Sequence, residues 1–132
     1  MVSELARAAA GIVEHALGLG KGYNEKRVMG QVKAVFYVPR RDNDGRDLQA
    51  EIEDLLDELY ARFLGWTFLG PIEGAYRMAD GTRSLDESGS YSVVLDEARV
   101  PELERVLRNF KSKTLQEAIY LEIHRDIELR LI

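Results

Sequence analysis

Near the carboxyl end, the stretch "YLEIHRD" puts Glu122, His124 and Asp126 at alternating positions. On a strand, alternate side chains share one face. A carboxylate, an imidazole and a second carboxylate would then converge, a donor set that suits a hard or borderline divalent metal. The chemistry such a centre supports is hydrolysis of a phosphoester, in a phosphoesterase or nuclease, by a metal-activated water. A plainer reading needs only an acid beside a histidine, which forms a surface ion pair of small energetic value. His15, the other histidine, sits at the rim of an apolar helical face, where packing rather than catalysis is expected.

A second candidate is "GLGKGYN", residues 18–24. A phosphate-cradling loop follows a strand and opens a helix, so that free backbone N–H groups point at the anion. Here a helical pattern precedes the glycines, and Lys21 does not stand in GxxxxGK[ST]. The stretch therefore reads as a helix end and a joint. No nucleophile elbow, Walker motif, zinc-helix motif or kinase signature is present, so no catalytic residue is assigned. Nothing in the pattern calls for a cofactor.

The third candidate set is a binding set. Arg77 and Arg83 lie in a polar run between two strand patterns, and guanidinium groups engage phosphate or carboxylate through two bonds. Tyr37, Tyr120 and Lys33 share sheet positions with Glu122 and His124, and tyrosines with a few polar groups are common pocket linings. A base-stacking platform would use the same tyrosines, but no basic motif accompanies them.

These residues need elements to hold them. Leu5, Ala8, Ala9, Ile12, Val13 and Ala16 recur at helical steps from Ser3, giving an amphipathic N-terminal helix. "VKAVFYV", ending before Pro39, reads as a buried strand. After the turn signal "RRDNDGR", Leu48, Ile52, Leu55, Leu56, Leu59, Tyr60 and Phe63 mark a helix with Asp47 as cap and Gly65 as its end. "WTFLGPIEGAYRM" is a strand whose Gly70 and Pro71 demand an edge position or a bulge. The run "ADGTRSLDESGS" reads as a long loop into the strand "YSVVLD". Val100, Leu103, Val106, Leu107 and Phe110 mark another helix, with Pro101 in its first turn. Ile119, Leu121 and Ile123 alternate on a last strand, and Arg125 breaks the row at a bulge or a turn into a short further strand.

The order strand, helix, strand, strand, helix, strand is the split βαβ arrangement, βαββαβ, of the ferredoxin-like α+β fold. The chain divides into residues 1–31, the N-terminal helix and its joint, and residues 32–132, the ferredoxin-like domain. Both domain helices fall on one face of the sheet. The other face would carry Tyr120, Glu122 and His124 beside Lys33, Val35 and Tyr37, and an uncovered half-apolar face is expected to bury against something.

Composition narrows the partners. With 132 residues, 18 basic and 23 acidic side chains and a net charge of -5, the chain suits one soluble domain with no broad grip on nucleic acid or anionic lipid. It has no cysteine, which excludes disulfides, thiol catalysis and zinc-thiolate sites and fits a cytoplasmic setting. No membrane segment is expected. The sequence thus predicts a self-associating module, a homo-oligomer that binds a small anionic ligand or a protein partner. The metal-dependent phosphoesterase is the alternative.

Overall fold

The computed structural model describes Arg27, Val28 and residues 30–132. The helix expected from Ser3, the glycines of "GLGKGYN" and His15 lie outside the described residues. A two-residue strand, β1 (Arg27–Val28), falls within the segment that the sequence assigns to the joint.

Strand β2 (Gln31–Pro39) shows strict alternation: Val32, Ala34, Phe36 and Val38 are buried, while Lys33, Val35 and Tyr37 are half-buried on the opposite side. Helix α1 (Gln49–Phe63) turns Ile52, Leu55, Leu59 and Phe63 into the core. The Asp47 carboxylate accepts a hydrogen bond from the Gln49 N–H at 2.7 Å, satisfying one of the free donors at the helix start. The helix ends one residue before the expected glycine. Leu64 takes the left-handed conformation, φ 68°, and its N–H bonds back to Tyr60 O at 3.0 Å.

Strands β3 (Thr67–Arg77) and β4 (Arg83–Asp96) form one long antiparallel hairpin. The polar run expected as a loop is strand on both sides of a turn at residues 78–82, closed by the Met78 N–H donating to Thr82 O at 2.8 Å. Its physical reason is that the outer part of the hairpin has no core to face, so its side chains carry no apolar alternation. A 3₁₀ turn (Glu97–Arg99) leads into helix α2 (Val100–Lys113), whose buried residues are those the spacing predicts. Arg99 joins the two helices: its guanidinium lies 4.7 Å from the Phe63 ring centre and donates to Arg62 O at 2.8 Å.

Strand β5 (Leu121–His124) is short, and the chain then bends into β6 (Leu129–Arg130), the further strand that the break at Arg125 allowed. β6 pairs with β1 in a small separate ladder. The main sheet has the order β3-β4-β2-β5, and every neighbouring pair is antiparallel. β3 is thus an edge strand, and it also carries a bulge between Phe68 and Gly70, with Gly70 at φ 132°. The core lies between one sheet face and the two helices, centred on Phe36, Leu59 and Leu103. Each buried side chain of this size stabilises the fold by about 1.5–3 kcal/mol.

Candidate functional site

The pairing of β2 with β5 settles what strand parity alone left open. Lys33 stands opposite His124 and Val35 opposite Glu122, and the Tyr37 N–H donates to Tyr120 O at 3.2 Å. Ile119, Leu121 and Ile123 pack against the core, so Tyr120, Glu122 and His124 face away from the helices. The rings of Tyr37 and Tyr120 stack at 4.4 Å between centres, 14° from parallel. Four of the residues picked out from the sequence, Tyr37, Tyr120, Glu122 and His124, thus form one patch, with Lys33 beside it.

Inside the patch, Glu122 is the hub. It accepts from the Tyr120 hydroxyl at 2.5 Å through one oxygen and meets His124 Nε2 at 2.7 Å through the other. The hydrogen bond from Tyr120, and then that from His124, hold the Glu122 carboxyl below its ordinary range. The same bond pushes the Tyr120 hydroxyl up to about 12. Glu122 is therefore an anion with both oxygens engaged, and Tyr120 is a fixed donor rather than a base.

Among the described residues, no three His, Asp or Glu side chains gather in a way that holds a metal ion. Asp126 follows β5 in the bend and leaves the metal reading without its third ligand.

A cleft of about 570 Å³ opens beside the patch, between the outer hairpin and the segment that enters β5. Tyr37, Tyr76, Tyr120, Ser88 and Asp86 line it, and Arg77 stands at its border. Tyr76 escaped the sequence reading. Its signal was the pair Gly74 and Tyr76 on one strand face: the ring lies over Gly74, where an added Cβ would stand 2.6 Å from it. That glycine makes room for the ring, which remains 47% exposed, like that of Tyr120. The row of Ser88, Ser90 and Ser92 behind the tyrosines is buried and small, giving the cleft a polar floor at its Ser88 end.

Of the two arginines of the binding set, Arg77 is among the residues that line the cleft and Arg83 is not. The two are directly opposed across the hairpin, next to Tyr76 and Ser84, and alternation roots both on the other face, so that Arg77 meets the cleft only at its turn end. No helix among the described residues is long and apolar enough to cross a membrane.

No protein-family model matches the sequence, and neither does any curated protein. Solved structures do resemble it. A phage SAM lyase in complex with S-methyl-5′-thioadenosine superposes with a TM-score of 0.63 at 15% identity, over 81% of this chain and 91% of that one. CutA from Synechococcus elongatus gives 0.55 at 13% identity over 82% and 87%, and CutA1 from Oryza sativa 0.53 at 12% over 75% and 79%. At these identities the likeness is one of fold, and with the β3-β4-β2-β5 order it shows that the chain has the ferredoxin-like α+β architecture.

Proposed function

We propose that the chain is a self-associating binding or regulatory module that takes a small ligand bearing a flat ring and an anionic group. The observation that carries this reading is the cleft of about 570 Å³ with the exposed rings of Tyr76 and Tyr120 at its wall. The volume suits a small molecule, and few-atom polar anchors on an aromatic wall are the usual composition of such sites. The Tyr120 ring is held from behind by Tyr37 and at its hydroxyl by Glu122, so a ligand ring would meet a surface that is already ordered. Arg77 at the border supplies the group for the anion. That a similarly folded phage lyase holds S-methyl-5′-thioadenosine, a ligand with a purine ring, supports the same choice of chemistry. Self-association is supported by large apolar side chains left exposed on the hairpin, Leu85 at its outer end and Trp66, Phe68 and Leu69 on or beside the inner part of the edge strand.

The test is calorimetric titration with S-methyl-5′-thioadenosine and with ATP, the first a neutral purine thioether and the second an anion. Binding of at least one is expected, weakened about tenfold or more by Tyr120→Ala, the scale of a lost stacking contact. Arg77→Gln should weaken ATP while leaving the neutral compound unchanged. Absence of heat with both compounds, or identical affinities in the Tyr120→Ala variant, would refute the assignment. Light scattering of the parent chain checks the self-association.

A further inference from the structure

The outer half of the hairpin carries a charge arrangement that is unfavourable within one chain. Along its face turned away from the tyrosine cleft, three cross-strand rungs follow one another: Glu73 opposite Glu87, Ala75 opposite Leu85, and Arg77 opposite Arg83. All six residues are exposed, Leu85 at 74%. Like charges directly opposed in a ladder repel. The acidic and basic rungs lie four residues apart, roughly 13 Å at strand rise, beyond the reach of a direct ion pair along the strand. None of the four charged side chains is in an ion pair among the described residues.

We infer that this face is the contact between two copies of the chain, packed hairpin on hairpin about a twofold axis through the Ala75–Leu85 rung. The inference names the surface for the self-association proposed above and rests on that reading. A twofold axis across the strands reverses their direction, so the arginine rung of one copy lies over the glutamate rung of the other, twice, and Leu85 meets Leu85. An isologous interface must be self-complementary, and acid, apolar, base in equal steps is a self-complementary order. Two repulsive rungs in each free chain thus become two attractive sets in the pair, around an apolar centre that excludes water. The face is open to a partner, because all six side chains are exposed; its Glu73, Ala75, Leu85 and Glu87 also wall a groove of about 730 Å³ shared with the turn that carries Arg41 and Asp42. The tyrosine cleft lies on the reverse of the same ribbon and shares only Arg77 with this contact.

Sedimentation velocity on three forms of the chain tests this. The parent should associate, and should lose association as salt rises from about 0.05 M to about 0.5 M, since the joining charges lie at an exposed rim. Arg77→Glu with Arg83→Glu makes the face wholly acidic, and Glu73→Arg with Glu87→Arg makes it wholly basic. Each variant alone should associate about tenfold or more weakly than the parent, and an equimolar mixture of the two should recover association as a mixed pair. If the parent associates and both variants do so equally well, or if the mixture stays monomeric, a different surface joins the copies and the inference fails by itself. A parent that is monomeric at high micromolar concentration removes the self-association reading and this interface together, leaving the ligand cleft to its own test. Salt-independent association of the parent counts against the interface without any substitution.

Discussion

The two ends of the β3–β4 hairpin share one backbone ladder and differ in what lies over it. At the inner end, β4 runs on past β3, and its Val93 and Leu95 are sealed under the helices, 2% and 3% exposed, opposite Ala34 and Val32 of β2. At the outer end, from Glu73 to Glu87 around the turn, no residue is buried on either face. The ladder is nonetheless continuous from Arg77–Arg83 to Thr67–Ser92, apart from the bulge. Apolar alternation therefore reports burial and not strand formation. The inner end holds the fold, and the outer end is free to carry charge and aromatic groups whose order serves other purposes.

The largest test of that contrast is a pair of truncations. Phe36→Ala should destabilise the chain by about 3–5 kcal/mol, because the ring is fully buried and leaves a cavity. Leu85→Ala should change the stability of the unassociated chain by less than about 0.5 kcal/mol. Chemical denaturation at a concentration where the chain is monomeric measures both, and comparable losses would break the contrast. Hydrogen exchange sharpens it. Amides of Ala34, Phe36 and Val93 should exchange only through global unfolding, while those of the outer rungs exchange through local opening, orders of magnitude faster.

A smaller effect is expected at the helix start. Asp47→Ala removes the acceptor of the Gln49 N–H and should cost about 1 kcal/mol, read as a lowered denaturation midpoint with an unchanged slope.

The smallest effect on stability, and the most direct on the site, concerns the Tyr120–Glu122 bond. Because the Glu122 pKa is depressed by folding, its contribution is present above the ordinary carboxylate range and is lost as pH falls through the depressed value. Because Tyr120 is raised, the contribution it makes is complete below 10.0 and is lost as pH rises through about 12. Ultraviolet titration should show one tyrosine with a midpoint near 12 that returns toward 10.0 in Glu122→Gln. An unchanged midpoint would mean that the bond does not form in solution.

Legibility followed burial. β2, α1 and α2 were readable because each packs one face on the core, and the edge position of β3 was readable because Pro71 cannot donate to a ladder. The outer hairpin was misread as a loop because Ser, Asp and Glu there answer to solvent on both sides. β1 and β6 have two residues each, too few for any period to show. Leu64, and not the neighbouring Gly65, carries the left-handed turn, because the backbone bond to Tyr60 is set by helix length and not by the best residue.

Of the candidate site, parity placed Tyr120, Glu122 and His124 on one face. Only the register with β2 made Tyr37 a stacking neighbour. Asp126 fails to join because the alternation that includes it in the sequence ends with the strand at His124. Tyr76 lay in a stretch whose facing depends on the bulge, which no pattern of residue types locates to the residue.

That bulge leaves one residue of β3 outside the ladder. At the inner end Phe68 stands opposite Tyr91 on the helix side, yet beyond Gly70 it is Ile72, Gly74 and Tyr76 that stand on the cleft side, because Leu69 is the extra residue in the ladder. Loss of the Leu69 codon would close the bulge and leave Gly70 opposite Ser90 and every rung beyond it in place, so Tyr76 would stay in the cleft and the charged rungs on the far face. The extra residue is slack in the ladder: this stretch of β3 can lose one residue without turning either surface of the outer hairpin over.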